Sequence, residues 1–584
     1  MMILLSTGCS RKEPASDFPK IAGEFVYRSL AFSPIAATAQ GLHTFEKRKL
    51  DSELDDYRRQ AITVQREFYA GIHKKLVALD RDSLSEEDKA DFDIIDTQCG
   101  LALFDIDIAR TWNRNPTLYV EAIGNALFAP YQLEYAPKPE RFKQIVARMK
   151  LLPGFVEVAQ QNLGRFPEIW RTVAFEENQG NIDLIEKTLA PACPKELRSD
   201  FDKAAAGAKE ALLGFNKFLG KEQTKPNRRR QQVGPPDNPA QQPDWRLGAD
   251  MYAVKFKLSL ATDSTPDEVL KDAETRLKEV RAKMLELARP LYKGQAGASG
   301  DDTIRTVLNA VATRHSTPAS YLDDARKDLA EARDFVRAKH LMTLPARDNL
   351  QVIPTPEFMR GIYAVGGFNP APVLEPQLGA FYWVTPIPPS WPKERAESKL
   401  REYNFFKLKL LTIHEAMPGH YVQGEISNDI PAKTRRVLRS IYGNNPYIEG
   451  WAQYATQTML DAGFLDNSPE LRLTFLKEEL RVIANAIVDI RLQSNKMTEQ
   501  EALDMMEKQT FQEHEEAVAK VRRAQLSSAQ LPTYFVGWRD WQRVRDAVKA
   551  KQGAAFDAAK FHDRALEEGA VPLPVLQRLL TGGK

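Results

Sequence analysis

The sequence predicts a mainly α protein, two helical halves around a cleft with a small β-sheet beside a metal-site helix. Three observations carry this. Apolar residues recur at three- and four-residue steps through long tracts, only two short stretches have strand character, and a polar, Pro- and Arg-rich break at 221–244 separates the tracts. With 584 residues, 43% hydrophobic and 27% charged, the chain has material for more than one core. Lys and Arg total 81 against 79 Asp and Glu, so no net field draws it to nucleic acid or an anionic surface, and oligomeric state is unconstrained. No run approaches the roughly 18 apolar residues of a transmembrane helix.

Residues 1–16 form an untidy N-terminus. Met1 to Leu5 is apolar and leads through Ser6, Thr7 and Gly8 to Cys9, like the tail of a lipoprotein signal, although it lacks an early Lys or Arg and a full-length apolar core. A lipidated Cys9 would anchor the protein to a membrane and place it in the periplasm; a cytoplasmic protein with an irregular start is the alternative. Cys99 and Cys193 are then expected as unpaired thiols, since nothing resembles a disulfide-rich pattern.

Residues 17–220 read as the first helical half. Tyr57, Ala61, Val64, Phe68, Ile72 and Leu76 make one apolar stripe. Ser85 starts a helix through Phe92 and Ile95. Trp112 to Tyr131, with Asn115-Pro116, is expected to interrupt the helices, and Leu151 to Leu163 to begin another. Residues 221–244 carry Arg228-Arg229-Arg230, five prolines and five glutamines but too few apolar residues to fold, so they read as an exposed linker.

Residues 245–584 read as the catalytic half, and both halves can pack into one body. Thr265-Pro266-Asp267-Glu268 starts a helix: Thr caps, Pro takes the first position and Glu reaches back, ahead of a buried face of Val269, Ala273, Leu277, Val280, Met284 and Leu287. Leu350–Pro354 and Gly379–Pro386 are the strands. A free strand edge there could hold an extended peptide, or Tyr382 and Trp383 could be ordinary sheet packing.

His414-Glu415-Ala416-Met417-Pro418-Gly419-His420 ends an apolar run, in a chain with eight histidines. Two imidazoles bracketing a carboxylate suggest a metal site with a built-in base, yet the spacing is not the H-E-x-x-H that puts both histidines on one helix face. An unbroken helix would turn His420 roughly 240° from His414. Pro418 and Gly419 can break the helix and swing His420 back. A zinc ion commonly takes two His and one Glu, and Glu449, opening the stretch Ile448, Trp451, Ala455 and Met459, is the best placed third ligand. Glu415 would remain as general base. The alternative is a plain helix end, with His414 a core histidine, His420 on the surface and Glu449 favouring a helix dipole.

Thr412 to Gln423, followed by Glu449-Gly450-Trp451-Ala452, resembles the bacterial family called domain of unknown function 885, whose members are often lipoproteins. That family is similar to helical zinc metallopeptidases of the thimet-oligopeptidase and Taq-carboxypeptidase groups. The resemblance implies a zincin-like fold, Zn2+ held by His414, His420 and Glu449, and Glu415 as catalytic base for hydrolysis of short peptides. Val521-Arg522-Arg523 and Gln530 to Gly537 resemble its C-terminal signature. Tyr534 would then donate to an oxyanion and Arg523 bind a substrate carboxylate, unless the one is packing and the other a surface charge. Asp489, in the helix Leu471–Leu492, could orient a ligating imidazole or form a surface ion pair. Family members carry a histidine where this chain has Gln493. That departure leaves open a catalytically impaired metal- or substrate-binding lipoprotein.

Overall fold

The computed structural model describes residues 17–220, 243–356, 360 and 365–582. The signal-like start with Cys9 and nearly all of the Arg- and Pro-rich segment lie outside them. Helix accounts for 72% and strand for 4%, so the protein is mainly helical. Among the described residues no helix is long and apolar enough to cross a membrane. Cys99 and Cys193 are both free.

The early helices differ in detail from the expected pattern. Arg59–Ala78 buries Ile62, Phe68, Ile72 and Leu76, while Val64 is exposed, because Tyr57 lies before the helix and does not set its phase. Residues 112–131 are largely helical rather than an interruption. Pro116 sits at the cap of Thr117–Gln132 and Asn115 Oδ1 accepts from Thr117 N at 3.0 Å, so Asn-Pro starts a helix here. The helix expected from Leu151 begins at Lys138 and runs through Pro153 to Asn162. Thr265 and Glu268 form the reciprocal capping box of Pro266–Ala288, whose buried face ends on Ala288, with Leu287 half-buried.

Two large cores result, and they do not follow chain order. One joins the first helices, from Phe18 to Cys99, to helices from Tyr252 to Leu576; the other gathers Tyr119 to Leu219. The sheet joins them. Leu350–Pro354 pairs in parallel with Ala380–Val384, which pairs antiparallel with a third strand, Gly366–Asn369. Side chains alternate across a strand, so Tyr382 enters the first core and Trp383 the second, where it meets Phe128 at 6.2 Å between ring centroids. Tyr382 and Trp383 are thus packing residues, 0% and 2% exposed. Tyr382 Oη lies 3.2 Å from Thr412 Oγ1, which fixes the sheet against the helix bearing His414.

Candidate metal centre

The helix Phe405–Glu415 starts on an Asn404 cap and ends where the sequence predicts a break. A second helix, His420–Ser427, follows immediately. Between them the chain turns tightly: Gly419 N donates to Ile413 O at 3.0 Å, and Met417-Pro418 is a cis peptide. A Cβ on Gly419 would lie 1.9 Å from His414 O, so only glycine permits this approach. Trp451 Nε1, wholly buried, donates to Pro418 O at 3.0 Å and Gly419 O at 3.2 Å. The freed carbonyls of the break are thereby satisfied by the helix that carries Glu449.

That helix, Asn445–Asp461, is capped by Asn444 and crosses Pro532–Gln552 at a glycine pair. A Cβ on Gly450 would meet Gly537 C at 2.3 Å, and one on Gly537 would meet Pro446 O at 2.0 Å. The backbones touch, which sets Tyr534, one turn before Gly537, close to Glu449, next to Gly450.

His414 Nε2 and His420 Nε2 lie 3.6 and 3.4 Å from Glu449 Oε2, and the two rings are 4.7 Å apart at 83°. The three potential ligand atoms all fall within 4.8 Å of one another. Glu449 Oε2 is buried and, among the described residues, accepts no hydrogen bond. The separations of 3.6 and 3.4 Å are long for direct hydrogen bonds. They match the spacing of about 3.3–3.5 Å between ligands bound roughly 2.0–2.2 Å from a tetrahedral zinc. The residues present therefore fit the ion. Burial by itself would raise the Glu449 carboxyl, but the two facing imidazoles hold it far below its ordinary range, so it is an anion.

Glu415 is half-buried and, among the described residues, has no hydrogen-bond or ion-pair partner; its charge is felt at His420 and Tyr534. Burial, with Glu449's charge next, pushes the Tyr534 phenol up to about 12, so it is a neutral donor. Arg523 Nη2 donates to Tyr534 Oη at 3.4 Å, and its side chain opens to solvent although protein surrounds it on most sides. Phe368, on the strand Gly366–Asn369, stacks over His420 with centroids 6.4 Å apart.

Two sequence expectations fail here. Asp489 neither orients an imidazole nor sits on the surface: it is fully buried, accepting from Tyr252 Oη at 2.8 Å and Ala529 N at 2.9 Å. Gln453, which drew no attention in the sequence, stands 3.5 Å from His414 Nδ1 instead, and the signal for it was its place one turn after Glu449. His420 Nδ1 is buried without a partner among the described residues. Gln493 is a buried clamp, donating to Ala524 O and Ser527 O at 3.0 and 2.9 Å and accepting from Leu247 N at 3.1 Å. His514 pairs with Glu507 on the surface.

The family model described as "Bacterial protein of unknown function (DUF885)" matches residues 34–580. No curated protein matches the chain. A solved structure from Shewanella oneidensis, described as a "putative lipoprotein of unknown function", is 26% identical with a TM-score of 0.76, over 96% of this chain and 99% of that one. One from Colwellia psychrerythraea, described as a "putative lipoprotein", shares the fold at 18% identity and a TM-score of 0.75, over 97% and 99%.

Proposed function

The chain belongs to the bacterial DUF885 family, of unknown function, and we propose that it is a zinc-dependent peptidase acting on short peptides. The observation that carries this is the set His414, His420 and Glu449, with an unengaged buried carboxylate oxygen equidistant, within 0.2 Å, from two imidazole nitrogens. Zinc there would polarise a scissile carbonyl and make water acidic enough to attack it. Glu415, unpaired and adjacent in sequence to His414, takes the proton from the attacking water and hands it to the leaving amine. Tyr534, kept neutral, donates to the oxyanion as the carbonyl carbon becomes tetrahedral. Arg523, in contact with no carboxylate among the described residues, is available to a negative group on the substrate. The strand Gly366–Asn369, which among the described residues pairs on one side only, offers backbone groups beside His420 for an extended chain. Side-chain exposures of 16%, 11% and 22% for His414, His420 and Glu449 suit a small substrate reaching an inset site.

Elemental mass spectrometry on chelator-free protein should find about one zinc per chain, lost in His420→Ala. Glu415→Gln should keep the metal and lose peptide hydrolysis by at least ~100-fold. Zinc retained with no hydrolysis by either wild type or variant would instead identify a binding protein.

For location, the two solved relatives' descriptions and the Ser6-Thr7-Gly8-Cys9 start support a lipoprotein anchored through Cys9 in the periplasm. Palmitate labelling of the native protein that persists in Cys9→Ser would reject this.

A further inference from the structure

His43 holds a place that only one protonation state satisfies. Its Nδ1 lies 2.9 Å from Asp51 Oδ1 and its Nε2 3.1 Å from Glu375 Oε2. A carboxylate oxygen accepts and cannot donate, so both contacts are hydrogen bonds only when the ring carries a proton on each nitrogen. A neutral ring keeps one N–H and turns a lone pair towards the other carboxylate. The two acceptors are unequal. Asp51 Oδ1 also accepts from Thr38 Oγ1 at 2.8 Å, its Oδ2 accepts from Gln144 Nε2 at 3.2 Å, and its side chain is 10% exposed. The Glu375 side chain, 21% exposed, is the one that water can reach when the imidazole lets go. Tyr135 lies against the ring with centroids 4.4 Å apart, and burial holds its phenol neutral. Arg148 stands behind Asp51, donating to Thr38 Oγ1 at 2.7 Å, and with Arg141 it acts on Tyr135. Guanidinium groups do not titrate near neutral pH, so the imidazole is the group that changes. Burial by itself would lower the imidazole's pKa, but Asp51 and then Glu375 outweigh it and hold the ring above its ordinary value of 6.5.

The contact joins two segments far apart in the chain. Residues 40–43 follow the helix Pro34–Ala39, and Glu375 lies in the segment 370–379 that connects the strands Gly366–Asn369 and Ala380–Val384. Beside it Leu374 N donates to Gln40 O at 3.1 Å, and Gly41, at φ +82°, brings the backbone to where a Cβ would lie 2.8 Å from Glu375 Cγ. The same segment reaches towards His420. Asn349 Nδ2 donates to Pro376 O at 3.2 Å while Asn349 Oδ1 accepts from Tyr421 Oη at 3.0 Å, and Phe368, just before the segment, stacks over His420. We propose that His43 is a pH-operated clasp: as imidazolium it ties residues 40–43 to the segment 370–379, and on losing a proton it keeps Asp51 and releases Glu375. The opening residues of the chain thereby hold the connection between the two strands beside His420 at low pH and let it loosen as pH rises. The clasp does not depend on the peptidase reading.

Because the folded value is above the unfolded one, the clasp contributes fully below about pH 6.5 and is lost as pH rises through the folded value. The deciding experiment is hydrogen–deuterium exchange read by mass spectrometry on the full-length protein at pH 6 and pH 9, each corrected for the intrinsic exchange rate. In the wild type, protection of the amides in 371–378, Leu374 N among them, should fall roughly tenfold from the lower pH to the higher, the effect of one charge-assisted hydrogen bond. Protection within Tyr119–Leu219 should not fall with it. In His43→Gln, protection of 371–378 should be low at both pH values and differ by less than about twofold. The amide in Glu375→Gln can accept from an N–H and, turned over, donate to a lone pair. Its protection should therefore be equally flat but high, and this variant decides the matter if His43→Gln fails to fold. Wild-type protection of 371–378 that is the same at both pH values overturns the inference. So does a pH-dependent loss that persists in either variant, which assigns it to another group, or one matched across Tyr119–Leu219, which is a loss of global stability.

Discussion

Asp489 shows what burial does to a carboxyl group whose partners are a phenol and an amide rather than a cation in contact. Burial dominates, over the bonds from Tyr252 and Ala529 and the more distant charge of Lys255, and pushes the carboxyl up to about 7. The folded value is above the unfolded one, so the folded state binds the proton more tightly. Its contribution to stability is fullest below about pH 4, falls as pH rises towards 7, and is lost above it. Asp489→Asn removes the titration while keeping an acceptor for Tyr252 and Ala529. Relative to wild type, the variant should gain about 2–3 kcal/mol between pH 5 and pH 8, read as the change in melting-temperature difference at the two pH values. A pH-independent difference would mean that Asp489 stays ionised. The same residue marks a limit of sequence reading. Its type and helix were plain, but its partners lie 237 and 40 positions away.

At the scale of elements, the crossing of Asn445–Asp461 with Pro532–Gln552 decides where Tyr534 stands relative to Glu449. Ala at position 537 would gain helix propensity of about 1 kcal/mol. Its Cβ would overlap a backbone carbonyl at 2.0 Å, which no rotamer change relieves. The overlap wins: Gly537→Ala should lower stability by about 1–3 kcal/mol, and by parting the helices should reduce kcat while metal content stays near wild type. Unchanged kcat would detach Tyr534 from catalysis. The His-Glu-x5-His break was legible because Pro and Gly state their own backbone chemistry and three donors need one centre. The strand Gly366–Asn369 was not, since two glycines and an asparagine carry little strand preference, and it is held by its register with Ala380–Val384. Asn115-Pro116 misled because the same dipeptide both breaks and begins helices, and only the residues packed after it decide.

In the whole molecule, the opening helices belong with those that carry His414, His420 and Glu449 rather than with their own sequence neighbours. Arg439, 1% exposed, donates to Asp91 Oδ1 at 2.7 Å, and Arg435 holds Asp91 Oδ2 at 2.6 Å; Ser29 Oγ bonds Tyr442 Oη at 2.8 Å. Buried residues from Phe18 to Val26 and from Phe68 to Cys99 therefore complete the core around the helices that present His420 and Glu449, while Ile35 joins Tyr119 to Leu219 in the second core beyond the sheet. Composition suggests a break near 221–244 but could not reveal this partition, because a stripe of apolar residues names a buried face without naming its partner. Splitting the chain within 221–242 should consequently leave two polypeptides that copurify when coexpressed, with zinc bound. The fragment 243–584 alone would expose the faces that Phe25, Ile72 and Ile95 cover and lose the Asp91 partner of Arg439. It should be insoluble or lack a cooperative melting transition. A soluble, cooperatively melting 243–584 that binds zinc would show instead that the metal centre needs no support from the first hundred residues.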